Sequence, residues 1–175
     1  SVLHTGVSAG ALEATVVDTG SWWRLRKLVH VAILIQHPEG DILLDTGLGK
    51  NIDAQFREND LFDRALFNYQ DVRPAADQLK QQGYDFKQLT RILPTHLHWD
   101  HASGLEDFPG TPVWVQEKEY DQAQKGEAPA HLKSQLDSPE INWHFFTLND
   151  EPFAGIERSL DVYGDGHVVM VDLSG

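Results

Sequence analysis

The sequence contains no cysteine, and this absence excludes several chemistries at once. Without thiols the chain forms no disulfide bonds, thiolate nucleophiles or cysteine-ligated zinc sites, and the redox compartment stays undetermined. Long apolar runs are also missing, because no stretch approaches the roughly 20 residues that span a bilayer. We therefore expect no membrane contact by this segment.

Basic residues are scarce: 14 Lys and Arg stand against 27 Asp and Glu, for a formal net charge of −13. The only cluster of basic residues that stands out in the sequence contains Arg24, Arg26 and Lys27. Since nonspecific binding to nucleic acids and anionic membranes depends on basic side chains, neither of these two partners is expected. The chain starts at Ser1 rather than Met, which is consistent with removal of an N-terminal signal or anchor. Both a cytoplasmic and a periplasmic location therefore stay open.

The length of 175 residues and the hydrophobic content of 41% predict one domain over residues 1–175. Residues 29–35 and 41–45 are rich in apolar, β-branched side chains and flank a turn with Pro38 and Gly40, which predicts a β-hairpin. Apolar positions at helical spacing from Val72 predict a helix that ends near Gly83.

Further strands and a helix follow along the chain. We predict strands at residues 91–94, 112–115, 143–148, 160–163 and 167–172, a helix at 117–125, and a turn at 164–166 between the last two strands. The segment 51–69 is polar and helical only in places. Strands, intervening helices and more strands together predict an α/β layered fold with a mixed sheet.

The most informative segment is residues 95–101, Thr-His-Leu-His-Trp-Asp-His, which holds four potential metal ligands. In an extended segment His96 and His98 point to the same side and can grip one ion. If a helix starts near Asp100, then Asp100 and His101 turn toward a neighbouring position, and paired hydrolytic metals lie about 3.5–4 Å apart. Imidazole and carboxylate ligands suit Zn and also Mn, Fe or Co, so the ligand types alone do not identify the element.

Asp45 ends a predicted strand, and two interpretations of it stay open. Its carboxylate either accepts the N–H of a ligand imidazole or caps its own loop through Gly47. The motif's Trp99 is expected to pack at the edge of the core. His30, inside a strand, is expected to be a hydrogen-bonded structural residue. No ligand role is expected for His4, His37, His131, His144 and His167.

The motif follows a hairpin that ends with the sequence Ile-Leu-Leu-Asp-Thr-Gly at residues 42–47. Together with this hairpin, the motif resembles the metallo-β-lactamase superfamily. The resemblance extends to segments 83–84, 103–105, 112–115 and 117–120. The order of these segments is similar to that in N-acyl-homoserine-lactonase-like members. The resemblance implies an αβ/βα sandwich with a dinuclear site at one edge. This chain is expected to supply the first half to two thirds of that sandwich and to be C-terminally incomplete.

Carried over to this sequence, the resemblance implies that His96 and His98 bind one metal and that Asp100 and His101 bind a second. It also implies two zinc ions, with Mn, Fe or Co as alternatives, and Asp45 as a partner that orients a ligand. Asp100 is implied to act in catalysis as a proton relay.

The family's remaining ligands are a His in a Gly-His-Thr-Pro-Gly-like loop, a bridging Asp and a final His, and residues 1–175 do not contain them. We expect the missing His directly after Gly175. Completion is expected from further residues, from a complementing C-terminal segment or from a second copy in a homodimer.

The resemblance implies a metal-dependent hydrolase with a small-molecule substrate. This substrate is expected to be a lactone, such as a quorum-sensing N-acyl homoserine lactone, whose ring is opened by attack of a metal-bound hydroxide. Asp100 followed by His101 argues against β-lactamases that lack the final His, and the acidity argues against RNA-processing members. A thioester hydrolase of the glyoxalase II kind stays open. So does an inactive fragment or metal-binding module, if the 175 residues act alone.

Overall fold

The computed structural model describes residues 1–173, which form one six-stranded sheet and one separate two-stranded sheet. The strands are β1 Val2–Leu12, β2 Leu25–Ile35, β3 Asp41–Leu44, β4 Leu89–Leu93, β5 Pro112–Gln116, β6 Asn142–Phe146, β7 Ser159–Asp161 and β8 Val169–Val171. The α-helices are α1 Glu13–Val16, α2 Ile52–Gln55, α3 Leu61–Leu66, α4 Ala75–Gln81, α5 Trp99–Ala102, α6 Glu117–Lys125 and α7 Lys133–Leu136.

The strands of the large sheet follow one another in chain order from β1 to β6. The first three are antiparallel neighbours, whereas β3, β4, β5 and β6 run parallel. Each parallel step needs a crossover, and helical segments provide it. The predicted α/β class with a mixed sheet is confirmed. The carboxyl ends of β3, β4 and β5 consequently meet at one edge of the sheet.

The main core lies between the large sheet and its helices. Leu43 of β3, Ile92 of β4 and Val113 of β5 are at most 1% exposed and belong to one cluster with α4. The predicted helix is present, but it starts at Ala75 because Pro74 occupies the N-cap position. Gly83, at a φ of +72°, follows its end, where a left-handed backbone favours glycine.

The hairpin of β2 and β3 is confirmed, as are α6 at its predicted bounds and the hairpin of β7 and β8. Strand β1 was not predicted from the sequence. It pairs with β2 along its whole length, with register irregularities near Gly6 and Gly10. Its run Ser-Ala-Gly-Ala has weak strand propensity, so pairing with β2 decides its conformation. Strand β2 likewise begins four residues earlier than the predicted residue 29.

Within residues 1–173, no helix has the length and apolar character to cross a bilayer. The expected approach to a further ligand at residues 174–175 lies outside the described residues.

A buried leucine at the centre of the sheet gives a test of this core. Leu43→Ala leaves a cavity in this core, so we expect a loss of about 2–5 kcal/mol in the free energy of unfolding. The matched control is Leu61→Ala, since Leu61 is 82% exposed and its truncation should change stability by no more than about 0.5 kcal/mol. Urea unfolding followed by circular dichroism measures both, and equal losses would contradict this placement of the core.

Candidate metal centre

The motif begins where β4 ends, at the same edge of the sheet where β3 delivers Asp45. Leu44 and Leu93 are register partners in the parallel pair, so the residues that follow them emerge side by side. Pro94 follows the end of the strand, and the chain bends at Thr95. His98 has an extended backbone and directly precedes α5, which begins at Trp99. The helix thus starts one residue before Asp100, close to the expected position.

The carboxylate of Asp45 connects the two strand ends. Its Oδ1 accepts the backbone N–H of Thr95 at 2.7 Å, and its Oδ2 lies 2.9 Å from Nδ1 of His101. Thr95 also donates its hydroxyl to Oδ2 at 3.0 Å. Asp45 has a φ of +54°, in the left-handed region that aspartate tolerates better than most residues. These contacts agree with the first of the two open interpretations, in which the carboxylate of Asp45 accepts the N–H of an imidazole in the motif.

The loop after Asp45 is fixed against α5. Thr46 donates its backbone N–H and its hydroxyl to the carbonyl of His101, at 3.2 and 2.7 Å. Gly47 has a φ of +62° and lies so close to the Thr5 side chain that a Cβ would collide with it. A larger residue at position 47 would therefore displace the loop that carries Asp45.

Three imidazole rings lie together at this edge. The ring centroid of His96 is 4.4 Å from that of His98 and 4.1 Å from that of His101. Because Nδ1 of His101 faces Asp45, its Nε2 faces Asp100, whose Oδ2 is 3.7 Å away. The structure thus brings together all four side chains that the sequence singled out as candidate ligands.

The protonation states follow from these surroundings. Burial, together with the neighbouring rings of His101 and His98, lowers the pKa of His96 and favours its neutral form. Burial also lowers the pKa of His101, but the hydrogen bond with Asp45 and the charge of Asp100 outweigh it, so this pKa is raised. Neutral imidazole is the form that binds metals, so His96 is ready for that role.

Asp100 has a partner that the sequence did not reveal. Nδ1 of His30 lies 3.2 Å from Oδ2 of Asp100, and Nε2 of His30 lies 2.8 Å from the hydroxyl of Ser8. Burial alone would raise the pKa of Asp100. The hydrogen bond with His30 and the charges of His101 and His30 outweigh this effect, so the pKa of Asp100 is lowered. His30 is buried and hydrogen-bonded, as expected. Its alternation with the buried Ala32 is the signal that places it on the core side of β2.

His131 is a second neighbour that the sequence analysis did not assign to the site. Its ring centroid is 5.1 Å from that of His98. The backbone of Trp99 donates to the carbonyl of Ala130 at 2.8 Å, which fastens this loop to α5. Trp99 itself is buried in a small cluster with Phe56. No local pattern around His131 predicts this contact.

The chemistry of the donor set fits a divalent metal, because three imidazoles lie together and the carboxylate of Asp100 is beside the ring of His101. The donor atoms of the motif are spaced more widely than ligand atoms around one ion. Within residues 1–173, the only group with three donor atoms all within 4.8 Å of one another is elsewhere, at His37, Asp165 and His167. The motif's side chains would therefore rotate inward to coordinate an ion.

Asp45 provides a test of this arrangement. Asp45→Ala removes charged hydrogen bonds worth about 1.5–3 kcal/mol and leaves alanine in a left-handed conformation, which costs roughly 1 kcal/mol more. Asp45→Asn keeps one acceptor oxygen and tolerates that conformation, so we expect a smaller loss.

The matched control for both variants is Asp71→Ala. Asp71 is exposed and has a similar φ of +56°, so this variant reports the backbone cost alone, about 1 kcal/mol. Thermal and urea unfolding compare the variants. Equal losses for Asp45→Ala and Asp71→Ala would show that the contacts of the carboxylate contribute nothing.

Comparison with known proteins agrees with this geometry. Residues 25–171 match the metallo-beta-lactamase superfamily. The N-acyl homoserine lactonase of Bacillus cereus is 32% identical over 140 residues, which are 77% of this chain and 52% of that protein. The N-acyl homoserine lactonase of Bacillus thuringiensis is 30% identical over 170 residues, or 94% of this chain and 61% of that protein.

Among solved structures, an N-acyl homoserine lactone hydrolase with the product N-hexanoyl-L-homoserine bound at its catalytic metal centre superposes with a TM-score of 0.64. It is 25% identical, and the match covers 91% of this chain and 64% of that one. The chain thus spans about half to three fifths of the length of these curated relatives. Because the family match covers most of its length, the chain belongs to the metallo-beta-lactamase superfamily.

Proposed function

We propose that the protein containing this chain is a metal-dependent hydrolase that opens N-acyl homoserine lactones or closely related lactones. The relatives named above carry the name of that activity, and one of them holds the ring-opened product at its catalytic metal centre. The observation in this chain that carries the proposal is that His98 and Asp100 line an apolar cleft.

The cleft has a volume of about 450 Å³, within the range that holds a small organic ligand. Polar groups enter it from Ser8, His30, His98 and Asp100. The rest of its lining is apolar: Ala11, Val16, Leu28, Phe67, Trp99, Pro129 and Ala130. A cleft of this kind suits a substrate with a polar ring at the donor side chains and an apolar acyl chain along the wall.

Each donor side chain has a distinct task in this proposal. Asp45 holds the ring of His101 so that Nε2 points toward Asp100. His30 fixes the carboxylate of Asp100, which in this proposal accepts the proton released when water adds to the lactone carbonyl. The same carboxylate then returns the proton to the ring oxygen as the bond between that oxygen and the carbonyl carbon breaks. The apolar wall limits the access of other water molecules.

We propose that His96, His98, Asp100 and His101 hold zinc, with room for two ions, and that Mn, Fe or Co can replace it. Bound there, such ions supply Lewis acidity that polarises a carbonyl and lowers the pKa of water. The donor chemistry supports a metal in general, since nitrogen and oxygen ligands do not distinguish these elements.

The role of the motif can be tested by activity. Replacing His98 or Asp100 by Ala should reduce lactone opening by about 100-fold or more, because each change removes a group placed at the reacting centre. Neither residue is in the buried core, so circular dichroism should show a folded protein. The control is His4→Ala, an exposed histidine outside the motif, which should leave activity unchanged.

Acid release from N-hexanoyl homoserine lactone and from an acyl thioester, measured side by side, decides the substrate class. Faster turnover of the thioester would replace the proposal with a thioesterase of the glyoxalase II kind. Full lactonase activity in the Asp100→Ala variant with metal still bound would refute the role given to Asp100.

Metal content of the 175-residue chain alone gives a separate test. Its motif offers two protein ligands to each of two ions, whereas catalytic zinc sites usually have three. We therefore expect weak, partial loading of the motif and little lactonase activity unless further residues or another chain complete the ligands. Elemental analysis before and after dialysis against a chelator, compared between the unchanged chain and its His96→Ala, His98→Ala variant, counts the ions that the motif holds. Two tightly held ions in the motif with rapid turnover would mean that another side chain, such as His131, completes the site.

A further inference from the structure

A second histidine and carboxylate cluster lies at the opposite end of β3 from Asp45. His37 belongs to the turn between β2 and β3, and Asp165 and His167 belong to the turn between β7 and β8. Since β3 has four residues, the two ends of this strand are about 10 Å apart. The cluster is therefore separate from the candidate metal centre.

The donor atoms of this cluster already lie close together. Nε2 of His37 is 2.8 Å from Oδ2 of Asp165, and Nδ1 of His167 is 3.0 Å from the same oxygen. All three residues offer donor atoms within 4.8 Å of one another. Ligand atoms around a tetrahedral zinc lie roughly 3.3 Å apart for bonds of about 2.0 Å, so small side-chain rotations would complete such a site.

Contacts within the hairpin hold Asp165 in place before any ion binds. The carboxylate of Asp161 accepts the backbone N–H of Gly164 at 3.0 Å and that of Gly166 at 2.7 Å, and so shapes the turn. Oδ1 of Asp165 accepts the backbone N–H of His167 at 3.0 Å. Oδ2 of Asp165 is consequently the oxygen that faces the two imidazoles.

The position of His37 is also fixed. Its side chain is only 7% exposed, and its ring stacks on Tyr163 with centroids 3.9 Å apart and an angle of 7°. Tyr163 donates its hydroxyl to the carbonyl of Gly40, and the guanidinium of Arg91 lies 4.8 Å from the centre of the tyrosine ring. The small hairpin is thus held against the turn between β2 and β3, with the cluster at their junction.

We propose that His37, Asp165 and His167 form a second metal site, which takes a divalent transition ion such as Zn²⁺ and fastens the β7–β8 hairpin to the β2–β3 turn. Two imidazoles and one carboxylate form a ligand set that zinc proteins use, with water as the fourth ligand. The role is structural, because a bound ion would join segments 128 residues apart in the chain.

Loading the site requires a shift of protons. The imidazole nitrogens that face Asp165 now carry N–H groups, because a carboxylate is only an acceptor. Coordination through Nε2 of His37 moves its proton to Nδ1, which gives up the 3.2 Å hydrogen bond from the backbone of Glu39. That bond is long and exposed, so its loss costs little compared with three metal bonds.

The test uses protein stripped by a chelator, with His96→Ala and His98→Ala introduced to remove the first donors of the motif. Titration with Zn²⁺ in a calorimeter should still show one bound ion per chain, and Zn²⁺ should raise the melting temperature. Adding His167→Ala, at a side chain 77% exposed, should weaken this binding at least about 10-fold and abolish the thermal shift.

Asp165→Asn is the second variant, since its amide oxygen can still accept the N–H of His167 while the anionic ligand is lost. It should weaken Zn²⁺ binding similarly. His144→Ala is the matched control, because His144 stacks on Trp114 outside the cluster. Co²⁺ should give a tetrahedral absorption spectrum that disappears in the His167→Ala protein.

Zn²⁺ binding that is unchanged in the His167→Ala and Asp165→Asn proteins would overturn the proposal, as would an equal loss in the His144→Ala control. The proposal would also be overturned if the metal-free protein with His96→Ala and His98→Ala bound no Zn²⁺. None of these results depends on lactone turnover. Failure of this site is therefore distinguishable from failure of the proposed activity, which the variants of His98 and Asp100 test in the unstripped protein.

Discussion

The carboxylate of Asp45 is the contact on which the candidate metal centre depends. It joins the carboxyl ends of two parallel strands, because it binds the backbone of Thr95 at the end of β4 and the ring of His101 at the start of α5. Charged hydrogen bonds in a buried position are strong and directional. The orientation of His101, and through it the spacing to His96 and Asp100, follows from this one side chain.

The parallel arrangement of β3, β4 and β5 explains why the functional groups gather at a single edge. Parallel strands deliver their following loops to the same side, so residues far apart in the chain meet there. The opposite edge collects the turns that precede these strands, and His37 lies there with the β7–β8 hairpin. Two histidine-rich regions thus occupy opposite ends of β3, one beside an apolar cleft and one at a junction between two sheets.

Much of the local structure was predictable because its signals are local. Runs of apolar, β-branched residues around a turn with Pro and Gly predicted the hairpin of β2 and β3, and helical spacing predicted α4. The bounds of α6 were also predicted from the sequence. The pairing of β1 was not predictable, since its small residues have little strand propensity and its partner supplies the hydrogen bonds. The contact of His131 with His98 also escaped prediction, because a loop between α6 and α7 carries it there.

The sequence by itself determined the donor chemistry: four side chains of the types that bind metals in residues 96–101, a carboxylate at the end of a strand, and no thiols. It also determined the family, through the order of its motifs. Only the tertiary structure decided that His30 supports Asp100 and that His37 meets Asp165 across 128 residues of chain. The physical reason is that periodicity and turn chemistry act over a few residues, whereas strand order and register are set by burying whole sheet faces against the rest of the protein.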